Sequence, residues 1–388
     1  MQSRRQFVAS LAALGIAGGV SGCLSRSAPA GVLDSIDALM RRFVRDERLS
    51  AGQLVVLRGG ERILSRVYGN APPAGYRTVS SQTMFRIASC SKMFTCAAID
   101  TLHRRGKLDL RIRVFPLLGI DTPALAGDQP DLRIDDITVQ HLVDHAGGWN
   151  VHKPIQIPGG PFIDAVHWDP MFRMRQVAID LGLAVPPTKM QLARYMYGKP
   201  LQFTPGTQDY KTTRGNSYSN FGYVLLGMVV EAVTGGRYID FVRDGIDGKG
   251  AWPDVLVSPM LIGAKNPLEV WYDEPKVGLS ALEPQSEVRL PFTSGGGGFI
   301  TDLMDSAAGL MTNAETLARF ASRHAAFGMG GRAPGTERDG GMAGVYSEVI
   351  SRPNAVDCAF LFNRTDFGDE GRTMDVFLGL LKTLLDAL

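Results

Sequence analysis

FRIASCSKMFT, residues Phe85 to Thr95, holds one Ser-x-x-Lys, with Ser89 and Lys92 three residues apart. It opens an apolar run, Met93, Phe94, Ala97, Ala98, Ile99 and Leu102, that predicts a helix. On a helix, positions i and i+3 share a face, so the Ser89 hydroxyl and the Lys92 ammonium become neighbours. A hydroxyl is a poor attacker at its free pKa and needs an adjacent base, so this spacing suits an activated nucleophile. At the first turn, free backbone N–H groups would also favour a developing oxyanion. A serine near a helix start beside an exposed lysine leaves the same pattern, so the meaning rests on the rest of the chain.

Upstream, GQLVVLRGGERILSRVYG (Gly52 to Gly69) is two β-branched-rich runs hinged at Gly59-Gly60, a hairpin signal. Before it, Leu33, Ile36, Met40, Phe43 and Val44 fall at helical spacing. The far end mirrors this: Val345 to Ile350 and Val356 to Phe362 read as strands, and Arg372 to Leu388 as a Leu-rich helix. The fold class predicted is α/β of the α+β kind. An antiparallel sheet formed by both chain ends is flanked by helices, with a mostly helical domain inserted. The expected division is 31–80 with 300–388 for the sheet and 81–299 for the helical domain, with a lid over 150–190. That lid is aromatic and punctuated by Pro and Gly, and a loop holding Trp168 and Phe172 must pack on something.

The first 23 residues read as an export signal: SRRQFV, an apolar run from Ala9 to Val20, then Val-Ser-Gly-Cys23. The paired arginines resemble a twin-arginine signal, and the last four residues a lipobox whose Cys23 is lipidated. The run is too short to span a membrane. The expected location is therefore the periplasm or cell envelope, with a membrane anchor at Cys23. The 388 residues carry 41 Lys and Arg against 39 Asp and Glu; without Arg4 and Arg5 the body is balanced at 39 against 39, which gives no argument for nucleic acid. Cys90, Cys96 and Cys358 then remain, an odd number, and read as small buried side chains.

Within the middle, ITVQHLVDHAGGW (Ile137 to Trp149) places His141 and His145 four apart, which on one helix would suit two metal ligands. No Glu stands beside the first His and no third ligand is evident, so the expectation is a structural role and no metal. Tyr218-Ser219-Asn220 precedes an apolar helix, Tyr223 to Val233, that ends at Gly235-Gly236. Tyr218 and Asn220 can face one cleft; locally, Asn220 would be a helix cap and Tyr218 a packed ring. Gly295 to Gly298 lacks the Lys-Ser/Thr of a phosphate loop and reads as a flexible loop, and Asp305 to His324 as a helical segment.

FRIASCSK, ITVQHLVDHAGG, FTPGT, YSNFGYVLLGMVVEAVTG and AAGLMTNAETLARF follow one another in this order. Together they resemble the serine beta-lactamase and penicillin-binding-protein superfamily, in its branch of class C beta-lactamases, D-alanyl-D-alanine carboxypeptidases and esterase relatives. The resemblance implies that Ser89 forms an acyl-enzyme, that Lys92 helps deprotonate it, and that Tyr218 abstracts or relays the proton and later assists water. Which of Lys92 and Tyr218 is the base stays open. Asn220 would bind the substrate amide or carbonyl. No metal or organic cofactor is implied.

The departure from the family lies in its third motif, for which the candidate is Arg338-Asp339-Gly340-Gly341-Met342. The preferred register is Asp339-Gly340-Gly341, making the Met342 N–H an oxyanion donor. The other is Arg338-Asp339-Gly340, using the Gly341 N–H. An Asp in place of the family's cation would repel a carboxylate substrate unless Arg338 replaces the charge. The segments 150–190 and Gln208 to Gly215 are also longer than is usual in the family. The expectation is an exported serine hydrolase of small esters or amides. The alternatives are a beta-lactamase or carboxypeptidase on cell-wall-derived substrates, and a non-catalytic cell-envelope binding protein that keeps the fold.

Overall fold

Gly59 and Gly60 adopt φ of 59° and 83°, the two left-handed residues of a tight hairpin turn. They join β1 (Ala51–Arg58) to β2 (Glu61–Gly69), and α1 (Ala30–Asp46), the first helix of the described residues, leads into this hairpin. The chain then leaves the sheet for α2 (Ser91–Arg104) and α3 (Asn220–Thr234). It returns through α4 (Ala314–Ala321) to β3 (Glu337–Met342), β4 (Val345–Ser351), β5 (Val356–Phe362) and α5 (Arg372–Asp386). The computed structural model describes residues 30–151, 155–156, 162–163, 169–211, 217–261, 264–273, 276–367 and 372–388. The expected export signal and Cys23 lie outside them.

Both chain ends do build one sheet, in the order β3-β4-β5-β1-β2, with every neighbouring pair antiparallel. Val55 lies opposite Ala359, and Gly340 opposite Ser347. On one face α1 and α5 bury Ile36, Met40, Phe43, Phe377 and Leu381 against Leu54, Val56, Phe360 and Phe362. The other face meets α4 and the helical middle in a second core that runs from Val55 and Leu361 through Phe94 and Phe320 to Leu225. At about 25 cal/mol per Å², such buried apolar faces are the main force holding sheet and helices together. Cys90, Cys96 and Cys358 are free and buried, as expected. No helix of the described residues is long and apolar enough to cross a membrane.

Three sequence expectations are corrected. Asp305 to His324 is not helical throughout: Leu310–Thr312 is a strand between Phe85–Arg86 and Leu256–Val257, and the Asn313 side chain accepts from Thr316 N–H to start the helix only after it. The Gly295 to Gly298 run is a close-packed corner, since a Cβ on Gly297 would fall 1.9 Å from the Leu290 carbonyl oxygen. The expected lid divides in two. Just after Asp169 it enters the core, with Met171, Met174 and Val177 fully buried, and it returns to the surface by Val185, while 152–168 lies largely outside the described residues.

Candidate active site

Ser89 sits on a single tight turn, Ala88–Cys90, that runs directly into α2. Ala88, just before it, is held at φ 42°, a left-handed conformation that costs a non-glycine residue about 1–2 kcal/mol. The turn leaves Ser89 half-buried at the head of the helix and points Lys92, one turn on, back at it. Lys92 Nζ donates to Ser89 Oγ at 3.1 Å, to Asn220 Oδ1 at 2.7 Å and to the Ala307 carbonyl at 2.8 Å. Three donors thus meet three acceptors, and the side chain is completely buried.

Tyr218, 129 positions away in sequence, brings its hydroxyl 2.7 Å from Ser89 Oγ. Its ring is fixed from two sides: Lys92 Nζ lies 4.8 Å from the ring centroid, and His145 stacks on it at 4.5 Å. The residue after it, Ser219, caps α3 by accepting from Gly222 N–H at 3.1 Å, so the cap is Ser219 and not Asn220. Asn220 is instead turned inward, with Nδ2 donating to the Asp169 carboxylate at 2.7 Å.

The two histidines do not form a ligand pair. The helix they were expected to share, Val139–Val143, ends before His145, which adopts φ 55°. His141 Nδ1 accepts from Thr138 N–H and caps that helix's own start, whereas His145 is buried and its Nδ1 accepts from Ser219 N–H at 3.2 Å. Its burial, with Arg338 and Lys92 nearby, holds the imidazole well below its ordinary pKa and therefore neutral.

On β3 the burial alternates, and Arg338, Gly340 and Met342 face inward while Asp339 and Gly341 are exposed. This corrects the preferred register. Asp339 does not occupy the cation's place, and Met342 is a core side chain at 6% exposure. Arg338 fills the place instead: Nε donates to the Ser89 carbonyl at 3.2 Å, and Cζ lies 4.7 Å from the Phe327 ring centroid and 6.0 Å from that of Tyr223. Its Nη2 has no hydrogen-bond partner among the described residues. Gly340 packs directly behind the serine, where a Cβ would sit 2.8 Å from Ser89 N and 2.5 Å from the Ile87 carbonyl oxygen.

Electrostatics assign protons to the cluster. Burial, then the Arg338 charge, hold Lys92 well below the ordinary lysine value, with Asp169 opposing. Burial pushes Tyr218 up to about 12, held back by Arg338 and by its bond to Ser89. Desolvation wins at the phenol, and the cation beside it that counts is Arg338. Of Lys92 and Tyr218, the lysine is the group that burial drives toward its neutral, proton-accepting form, and the tyrosine the one that burial keeps protonated. Sequence reasoning missed Asp169 and His145 as members of the cluster; the His145 signal lay in its place in a motif already quoted.

Residues 36–348 match the family described as Beta-lactamase. The chain is 29% identical over 203 residues to Esterase EstB of Burkholderia gladioli, covering 52% of this chain and 45% of the relative. It is 24% identical over 195 residues to Penicillin-binding protein 4* of Bacillus subtilis (strain 168), covering 50% and 35%. The chain thus spans less than half the length of these relatives. A solved class C beta-lactamase superposes with a TM-score of 0.60 at 16% identity, covering 92% of this chain and 97% of that one, a likeness of fold.

Proposed function

Because this chain belongs to the beta-lactamase family of serine hydrolases, we propose that it hydrolyses small esters or amides through an acyl-Ser89 intermediate. One observation carries the reading: Ser89 Oγ lies 2.7 Å from a phenol and 3.1 Å from a buried amine. Ser89 Oγ attacks the substrate carbonyl carbon as its proton passes to neutral Lys92. The leaving oxygen or nitrogen departs with the Tyr218 proton, which the Lys92 ammonium replaces, and water then releases the acid and regenerates the Ser89 hydroxyl.

The oxyanion faces the N–H groups of Ser89 and Gly341. In support, Ser347 Oγ on β4 reaches the Gly340 carbonyl at 3.4 Å. That carbonyl is therefore on the paired side of β3, and by strand alternation the Gly341 peptide is on the free edge beside Ser89. A preorganised donor of this kind lowers the barrier by about 3–4 kcal/mol.

A second reading, a cell-wall peptidase or beta-lactamase, is favoured by the Arg338 guanidinium, a buried cation beside Ser89 whose Nη2 has no hydrogen-bond partner among the described residues and would pair with a substrate carboxylate. Labelling the purified protein with a fluorophosphonate and a fluorescent penicillin separates the two. Fluorophosphonate labelling that Ser89→Ala abolishes supports the ester and amide reading, and strong penicillin labelling supports the second. No labelling by either refutes both and leaves a binding protein. Export with lipidation of Cys23 is part of the proposal, supported by the Ser3-to-Cys23 sequence. A Cys23→Ser chain still sedimenting with membranes would refute the anchor.

A further inference from the structure

We propose that Asp169 is a positioning residue of the Ser89 site, locking the Asn220 amide in one orientation and setting a buried negative charge against the buried cations Lys92 and Arg338. The inference rests on reading Lys92 as the acceptor of the Ser89 proton. Asp169 is 2% exposed and stands at the end of the long segment, on the core side of it. Its Oδ1 accepts from the Met171 backbone N–H at 2.9 Å, and its Oδ2 from Asn220 Nδ2 at 2.7 Å. Met171 is itself fully buried, so the carboxylate is anchored to rigid backbone.

An amide side chain can be turned over, and here both of its ends are dictated. A carboxylate accepts and does not donate, so the amide end facing Asp169 must be NH2; an ammonium donates and does not accept, so the end facing Lys92 must be oxygen. The lock matters once Lys92 is neutral. A neutral amine has two N–H bonds and one lone pair, and its neighbours are Asn220 Oδ1, the Ala307 carbonyl and Ser89 Oγ. The first two are acceptors and hold the N–H bonds, which leaves the lone pair directed at the Ser89 hydroxyl. An Asn220 turned over would present NH2 to the amine and draw the lone pair away.

The charge acts in the same place. Facing Lys92 are Cys90 from its own turn, Tyr218, Tyr223 and His145 from the helical side, Asp169 from the long segment, and Arg338 and Asp339 from β3. Among these Arg338 disfavours the ammonium, and Asp169 is the foremost of the groups that favour it. Asp169 thus prevents the amine from becoming so weak a base that it no longer takes the serine proton.

The test is the rate of fluorophosphonate labelling as a function of pH, in wild type and Asp169→Asn. An asparagine keeps the size but replaces one acceptor by a donor, so it opposes either Met171 N–H or the Asn220 NH2 and carries no charge. The expected result is an acid limb moved to lower pH, with the alkaline plateau reduced about tenfold and the fold retained by circular dichroism. A general loosening would lower the plateau and leave the limb in place, so an unmoved limb overturns the proposal. Asp169→Ser, smaller and still able to accept from Met171, makes the same comparison if the asparagine variant does not fold. Wild-type protein that the probe does not label refutes the hydrolase reading itself; labelled wild type with an unmoved limb in the variant refutes only the role of Asp169.

Discussion

Replacing Glu348 by glutamine should stabilise the protein at alkaline pH and leave it unchanged in acid. Glu348 lies on β4 directly across from Asp339, is 2% exposed, and accepts from the Tyr346 hydroxyl at 2.7 Å. Burial pushes its carboxyl from an ordinary 4.5 up to about 8, with the Tyr346 bond opposing and the Asp339 and Glu337 charges adding. Between those two pH values the unfolded chain has released a proton that the folded chain keeps. The folded state therefore binds more protons, and stability falls as pH rises. The penalty is absent below the unfolded value and complete above the folded one. At about 1.4 kcal/mol per pKa unit, the interval from 4.5 to about 8 corresponds to a penalty on the order of 5 kcal/mol. Glutamine keeps an oxygen for Tyr346 and has no proton to lose. Urea unfolding at about pH 5 and about pH 9 would measure it: the wild type should lose several kcal/mol more than Glu348→Gln between the two conditions. Parallel losses in the two proteins would refute the assignment of a protonated buried carboxyl.

Two further outcomes follow from the geometry around Ser89. Tyr218→Phe removes the hydroxyl 2.7 Å from Ser89 Oγ and should slow fluorophosphonate labelling by about a hundred- to ten-thousandfold, with circular dichroism and melting unchanged; unaltered labelling would exclude Tyr218 from proton transfer. Gly340→Ala places a methyl 2.5 Å from the Ile87 carbonyl oxygen and 2.8 Å from Ser89 N, so it should push β3 off the serine turn, cost about 1–3 kcal/mol of stability and depress labelling sharply; a variant with wild-type labelling would show that β3 does not shape the site.

How much of this was legible depended on whether the signal was local. The hairpin at Gly59-Gly60 is written in alternation and two adjacent glycines, and the Ser89–Lys92 pair in a spacing that one helical turn converts into contact. The register of the third motif was not legible. Glu337–Met342 has little β-propensity, and its two glycines read as loop until pairing with β4 makes it an edge strand whose alternation assigns each side chain a face. Asp169 was invisible for a different reason. It lies 51 positions before Asn220, at the end of a stretch with no periodicity, and only the fold brings its carboxylate to that amide. Leu310–Thr312 reads as helix in the sequence because its neighbours on both sides are helix formers; its pairing partners are more than fifty positions away.

The corrected register also changes what the third motif does to the proton inventory. With Asp339 exposed and Arg338 buried against Ser89, the strand contributes a cation and not an anion to the cluster. A guanidinium does not give up its proton at any accessible pH, whereas a lysine ammonium at the same place, equally desolvated, would titrate together with Lys92. Arg338 is therefore a constant charge: it depresses Lys92 and restrains the Tyr218 phenol at every pH at which the protein is folded. Against it stands Asp169, whose charge favours the Lys92 ammonium while burial pushes its own carboxyl above the ordinary value.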